Sequence, residues 1–392
     1  MQKTPQSERT HIAFFGRCNS GKSSLINALT GQSIAVVSEV RGTTTDPVSK
    51  AIELPGIGAS VLIDTPGYDD NGVLGMQRIE QTVKVVDKTD IAIVLFTEVR
   101  TDEDTRWLAE LRAREIPVIA VVSQADRLTD AGRVALEIEQ DTGLKPIIVS
   151  AVTGEGLPAL RDALVQCTMR EERTILQGMV ENGDTVLLVM PQDASAPKGR
   201  LIQPQVQTIR ELLDRHCTAV SCTVEGMPVA LAALASPPQL IITDSQVFDA
   251  VYQLKPEASR LTSFSVLFAR YKGDIKVFVE GAKALKTLTA GSRVLIAEAC
   301  SHVPQNEDIG RVKLPAMLRR KISPDLHIDV VGGNEFPQEL TSYDIVIHCG
   351  ACMFNSRHVL NRMARARIQG VPITNYGITI AALTGILDRI EY

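Results

Sequence analysis

The stretch Gly16-Arg17-Cys18-Asn19-Ser20-Gly21-Lys22-Ser23 constrains this chain more than any other. It follows the apolar run Ile12-Ala13-Phe14-Phe15 and precedes an amphipathic segment bearing Leu25, Ile26 and Leu29. Strand, glycine-bearing loop and helix in that order form a P-loop, in which main-chain N–H groups curl around phosphate oxygens and the helix N-terminus adds a favourable field. The expected nucleotide-binding residues are Gly16, Asn19, Ser20, Gly21, Lys22, Ser23 and Ser24. Lys22 is expected to reach the β- and γ-phosphates, and the Ser23 hydroxyl to ligate Mg²⁺.

The other parts of a nucleotide switch follow in order. Arg41-Gly42-Thr43-Thr44-Thr45-Asp46 is a polar connection in which Thr44 can close onto Mg²⁺ and the γ-phosphate. Val61-Leu62-Ile63-Asp64-Thr65-Pro66-Gly67 reads as a strand ending in an aspartate that holds the metal through water, then a glycine whose N–H meets the γ-phosphate. Lys22, Thr44, Asp64 and Gly67 are the expected catalytic set. Apolar runs at 91–96 and 118–122, separated by a helical pattern over 101–114, extend the sheet, so a doubly wound α/β fold is expected.

This first part resembles the translation-factor-related GTPases that include the tRNA-modification and ribosome-assembly enzymes. That group reads its base with Asn-Lys-x-Asp and a later Ser-Ala, where this chain has Ser123-Gln124-Ala125-Asp126 and Ser150-Ala151. The resemblance implies GTP as the nucleotide, with Asp126 accepting from guanine and Ser150 and Ala151 beside it; the asparagine and lysine are replaced. Asn19 matches the P-loop asparagine that seats K⁺ in potassium-stimulated members. Tyr68 and Asp69 stand where Ras-like proteins carry a water-positioning glutamine, which implies slow hydrolysis until K⁺ or a partner completes the site.

With 392 residues the chain is too long for one core. Three α/β parts are expected: a nucleotide domain over 1–177, a scaffolding or self-association domain over 178–272 and a thiol-bearing domain over 273–392. The middle part reads as a charged helical stretch over 169–177, strands at 185–190, 219–224 and 239–243, and helices over 205–216 and 245–254. It presents no phosphate loop and no acid–base constellation.

In the last part, a helix over 275–288 precedes a buried run that ends at Cys300, with His302 two residues on. A second strand, 327–331, runs into a glycine turn carrying Asn334 and Glu335, and a third, 344–347, delivers His348-Cys349-Gly350-Ala351-Cys352 ahead of a helix over 356–367. Ligands of open parallel sheets collect beyond the carboxyl ends of the strands, so these turns are expected on one rim. Clustered thiolates select zinc or an iron–sulfur cluster. Spacing alone leaves two readings open: a closed zinc site completed by one histidine, or a cluster held by three cysteines with one exchangeable corner. Cys18, Cys167, Cys217 and Cys222 read as ordinary thiols.

A P-loop GTPase part, an α/β connector and a final Cys-x-His with His-Cys-x-x-Cys resemble, over essentially the whole chain, the GTPases that mature FeFe hydrogenases, the HydF family. The resemblance implies a 4Fe-4S cluster on Cys300, Cys349 and Cys352, with His302 and His348 supplying or tuning the fourth position. It also implies a scaffold or carrier that delivers a di-iron precursor to apo FeFe-hydrogenase, works with the other hydrogenase maturation proteins and forms a homodimer. The competing expectation is an RNA-directed GTPase with a zinc staple, against which a net charge of -5 argues. A polar start without an apolar leader, and no run able to span a bilayer, lead to an expected cytoplasmic location without membrane or nucleic-acid partners.

Overall fold

Strand β1 (Thr10–Gly16) is buried on both sides, with Ile12 and Phe14 in one core and Ala13 and Phe15 in another. Successive side chains of a strand point to opposite faces, so an unbroken apolar run belongs in the middle of a covered sheet. The computed structural model describes residues 5–31, 47–67, 81–97, 101–168, 174–192, 201–299, 309–333 and 335–392. Its two units are Met1–Glu172 and Arg173–Tyr392.

In the first unit, β2 (Val48–Leu54), β3 (Gly58–Asp64), β4 (Ile91–Phe96), β5 (Val118–Val122) and β6 (Ile147–Ile148) join β1 in the order β2-β3-β1-β4-β5-β6. Every pairing is parallel except β2 with β3. Helix α1 (Lys22–Thr30) buries Leu25, Ile26 and Leu29 on one face of the sheet, beside Leu160 and Leu164 of α4 (Leu157–Thr168). On the other face lie Trp107, Leu108 and Leu111 of α2 (Asp102–Ala113) and Val134 and Ile138 of α3 (Ala131–Thr142). Helices on both faces of a parallel sheet make the doubly wound architecture. Thr101 caps α2, with its N–H donating back to Asp104 at 2.9 Å.

The second unit holds two four-stranded sheets, both wholly parallel. The first runs β10-β9-β7-β8, from β7 (Thr185–Val189), β8 (Thr218–Cys222), β9 (Leu240–Thr243) and β10 (Arg260–Ser263). Its helices are α5 (Gln203–Asp214), α6 (Met227–Ala233), α7 (Phe248–Leu254) and α8 (Phe264–Lys272). The second runs β12-β11-β13-β14, from β11 (Arg293–Ala297), β12 (His327–Val331), β13 (Ile345–His348) and β14 (Ile373–Asn375), with helices α9 (Ile275–Ala282), α10 (Leu314–Lys321), α11 (Ser356–Ile368) and α12 (Tyr376–Thr384). Leu187, Val189 and Ile241 share a core with Val294 to Ala297 of β11, while Val186, Leu188, Leu240 and Ile242 face a different one. Helix α8 serves both cores, with Val266 and Ala269 in the shared one and Phe264, Leu267 and Phe268 in the other.

Two sequence expectations need correction. Residues 174–177 belong to a turn, not a helix, because Ile175 and Leu176 are drawn into the core and their amides donate to the Glu211 carboxylate at 2.7 and 3.0 Å. The helix expected over 275–288 stops at Ala282 and tightens into a 3-10 turn over Lys283–Lys286. Strands β2, β6, β10 and β14 and helices α3, α4, α6, α8 and α12 were not expected. Helix α12 is buried continuously from Tyr376 to Ala381, so it has no polar stripe to set a period. No helix among the described residues is long and apolar enough to cross a membrane.

Candidate functional site

At the carboxyl end of β1 the chain turns through Asn19, at φ 59°, and Gly21, at φ 87°, into α1. Lys22 is buried, and its Nζ donates to the carbonyls of Gly16 and Arg17, each at 2.8 Å. The ammonium is thus folded over the loop expected to encircle a phosphate. Ser23 Oγ, at the second residue of the helix, donates to Asp64 Oδ2 at 2.5 Å, which the register pairing Phe14 with Asp64 makes possible. Thr65 ties the same strand end to the Phe14 carbonyl at 2.6 Å. Gly67 lies so near the P-loop that a Cβ there would sit 2.4 Å from Cys18 Sγ, leaving room for no larger residue.

Asp64 is 3% exposed, and burial raises its carboxyl pKa against the opposing pull of the Ser23 hydrogen bond and the Lys22 charge. Its Oδ1 is buried with no hydrogen-bond partner. An orphaned acceptor beside a serine hydroxyl suits a hydrated Mg²⁺, which would supply the missing partner and relieve the burial cost. Ser20 Oγ is likewise buried without a partner, inside the phosphate loop. Thr44, Tyr68 and Asp69 lie outside the described residues.

At the base end, Asp126 is exposed and its Oδ1 accepts from Ser150 Oγ at 2.6 Å, so the two expected base-reading segments meet. Ser150 is fully buried, and Ala151 follows it half-buried. The residues that replace asparagine and lysine act on the P-loop: Ser123 Oγ reaches the Ser20 carbonyl at 2.7 Å and Gln124 Nε2 the Asn19 carbonyl at 2.7 Å. Sequence reasoning treated this pair as a loss, whereas it latches the P-loop to the turn expected to read the base, with neutral groups. Ser24 sits half-buried in the first turn of α1.

In the second unit, β11, β12 and β13 are parallel neighbours and end on one rim. Cys349 follows β13 directly, with its N–H donating to the Ala297 carbonyl at 3.0 Å. Its sulfur, in a residue 8% exposed, accepts the N–H of Ala299 at 3.0 Å and that of Ala351 at 3.4 Å. The residue immediately before Cys300 therefore lies against Cys349. Cys352 is half-buried in the same loop. Cys300, His302 and Asn334 lie outside the described residues, and among the described residues no group of three or more metal-type side chains converges. Glu335 is exposed. Amide donors aimed at a cysteine sulfur are also what metal-bound thiolates use, so this donor set suits a metal centre.

His348 closes β13 and is fully buried. Its Nδ1 contacts the Cys349 carbonyl at 2.7 Å and its Nε2 lies 3.1 Å from the Arg362 guanidinium. A guanidinium only donates, so Nε2 is the acceptor and Nδ1 carries the proton. Burial, reinforced by the Arg362 charge, pushes the His348 pKa down to about 3. Both ring nitrogens are engaged in the wall behind the cysteine loop. Arg362, 4% exposed, also donates to the Gly333 carbonyl and stacks on Phe336 with its Cζ 4.8 Å from the ring centre, so it ties the β12 turn to the β13 turn. Sequence reasoning missed it, although an arginine at position 362 in line with buried His358, Val359, Met363 and Ala366 was a visible signal. It also missed Lys272, whose Nζ donates into the cysteine loop.

Three family models match this chain. A 50S ribosome-binding GTPase model matches residues 11–124, a hydrogen maturase F dimerization domain 175–273, and a hydrogen maturase F tetramerization domain 276–391. Among curated relatives, the tRNA modification GTPase MnmE of Nitrosomonas europaea is 33% identical over 162 residues, 41% of this chain and 35% of the relative. The MnmE of Bordetella parapertussis is 35% identical over 162 residues, 41% of this chain and 34% of its own length. The chain thus spans about a third of the length of these relatives. A crystal structure of Aquifex aeolicus Era is 17% identical, covering 57% of this chain and 98% of that one with a TM-score of 0.38. The two maturase models together span more than half of the sequence, and with the GTPase domain that precedes them they show that the chain belongs to the hydrogen maturase F family of hydrogenase maturation GTPases.

Proposed function

We propose that this protein is a GTP-hydrolysing scaffold that holds a 4Fe-4S cluster on Cys300, Cys349 and Cys352 and carries a di-iron precursor to apo FeFe-hydrogenase. The observation that supports it most is the 3.0 Å contact between the Ala299 N–H and Cys349 Sγ, since that donor is the residue directly before Cys300 in the chain. When bound, the cluster supplies a coordination point to which a guest metal unit attaches. Ala299 and Ala351 direct their amides at the Cys349 sulfur, and Arg362 and His348 hold the loop from behind. His348 acts here as that wall, because a fourth-ligand role would cost it the Arg362 hydrogen bond. His302 remains a candidate fourth ligand on family resemblance.

In the nucleotide domain Lys22 neutralises phosphate charge, Ser23 and Asp64 hold Mg²⁺ with Thr44, and Gly67 offers its N–H to the γ-phosphate. Asp126, backed by Ser150, reads guanine. Asn19 helps seat K⁺, whose charge supplies what the missing water-positioning glutamine leaves undone, so turnover is slow and K⁺-stimulated. The γ-phosphate orders its loops and biases engagement with apo-hydrogenase and the other maturation proteins, with the chain working as a homodimer in the cytoplasm.

The test is activation of purified apo FeFe-hydrogenase by chain isolated from cells that express the other maturation proteins. Wild type is expected to activate it and Cys349→Ser not to. Equal activation by both, or purified wild type holding zinc without iron, would reject the reading; the zinc result would favour an RNA-directed GTPase with a stapled tail.

A further inference from the structure

Lys272 ends α8 and is 1% exposed. Its Nζ donates to the carbonyl oxygens of Ala351 and Phe354, each at 2.7 Å, and lies 5.7 Å from the centre of the Phe268 ring. The two acceptors flank Cys352. Ala351, between the two cysteines of the loop, adopts a left-handed φ of 49° without being glycine. Such a backbone is strained for a residue that carries a Cβ and persists only where its surroundings over-determine it. Burying an ammonium is costlier still unless its protons find acceptors. Both costs fall on one short loop, and each is met by the other's partner: the carbonyls satisfy the ammonium, and the ammonium fixes the carbonyls.

The direction of those carbonyls matters. In a trans peptide the C=O and the following N–H point opposite ways. Gathering the Ala351 and Phe354 oxygens at Lys272 therefore turns the amides of Cys352 and Asn355 away from it. The reach is also long in sequence, since Lys272 falls within the residues matched by the dimerization domain and the loop within those matched by the tetramerization domain.

We propose that Lys272 is the positioning residue of the cysteine loop: by holding the Ala351 and Phe354 carbonyls it sets Cys352 against Cys349 for metal binding and places a buried positive charge behind the thiolates. This rests on the iron–sulfur reading above. Loss of the donors loosens the loop's grip on iron, and loss of the charge alone makes the bound centre harder to reduce.

Two variants of the full chain separate these effects. Lys272→Met removes donors and charge; Lys272→Gln removes the charge but keeps two N–H donors, on a side chain one atom shorter. All three proteins are reconstituted anaerobically with iron and sulfide, then compared for iron release to a chelator, midpoint potential and GTP hydrolysis. Lys272→Met is expected to release iron at least about tenfold faster than wild type, and Lys272→Gln within about threefold. The Gln variant is expected to be about tenfold less favourably reduced, about 59 mV for one electron. GTP hydrolysis is expected to be unchanged throughout. Wild-type release by Lys272→Met overturns the proposal, as does a wild-type potential in Lys272→Gln, which remains decisive if the Met variant fails to fold. If wild type itself takes up no iron, the iron–sulfur reading fails first.

Discussion

The phosphate loop of the first unit and the cysteine loop of the second solve a similar problem with opposite economies of sequence. Each lies beyond the carboxyl end of a parallel strand and ahead of a helix, and each bends through a non-glycine residue at positive φ, Asn19 or Ala351. In each, one buried lysine donates to two main-chain carbonyls of the loop, Lys22 to Gly16 and Arg17 and Lys272 to Ala351 and Phe354. Lys22 is separated from its acceptors by five and six residues, Lys272 by 79 and 82. A local motif can be preassembled by its own helix. A loop held from a distance depends on the folding of everything between, and is open to control by it.

The sharpest way to break the comparison is to remove each site and ask whether the other notices. Lys22→Ala is expected to lower GTP hydrolysis by at least about 100-fold, measured as phosphate release, with iron content unaffected. Cys349→Ser is expected to give chelator-labile iron, lost at least about tenfold faster, with phosphate release unaffected. If Cys349→Ser also slowed hydrolysis, the two loops would share more than a design.

That difference in locality also explains what was readable beforehand. The placement of Asp64 and Gly67 beside the P-loop was readable because short contiguous strings carry that part of the fold. Ser123 and Gln124 did not, because a hydroxyl and an amide reaching the carbonyls of Ser20 and Asn19 leave no pattern along the chain. Cys349 and Cys352 were evident as thiols, but the amides that address Cys349 belong to Ala299 and Ala351, and main-chain donors have no sequence signature. Lys272 was hidden by its setting, at the end of the middle domain expected over 178–272 and on a helix, buried on two sides, that was itself not expected. Strand β14, with three residues, is too short to show a period, and its place comes from pairing with β13.

Two smaller effects sharpen the contrast. Exchanging K⁺ for Na⁺ is expected to slow phosphate release about fivefold, roughly 1 kcal/mol, and Asn19→Ala to abolish that difference. A cation effect that persists in Asn19→Ala would remove Asn19 from the site. In the second unit the metal-free chain should lose stability in acid. His348 has a folded pKa of about 3, below its ordinary 6.5, so between those values the unfolded chain binds a proton that the folded one refuses. Stability is then expected to fall as pH drops below 6.5, by about 1 kcal/mol per pH unit, and His348→Asn to show a flatter dependence in denaturant titrations at pH 7 and pH 5. Parallel slopes for both proteins would mean that the imidazole is protonated in the folded state.

The central claim is that the cysteine loop, with Cys300, grips an iron–sulfur centre. Electron paramagnetic resonance of the dithionite-reduced, anaerobically reconstituted chain, with iron and sulfide counted on the same sample, tests it most directly. About four irons per chain and a cubane signal that disappears in single serine replacements of Cys300, Cys349 and Cys352 are expected. A chain that binds no iron, or a signal indifferent to those three replacements, would contradict it.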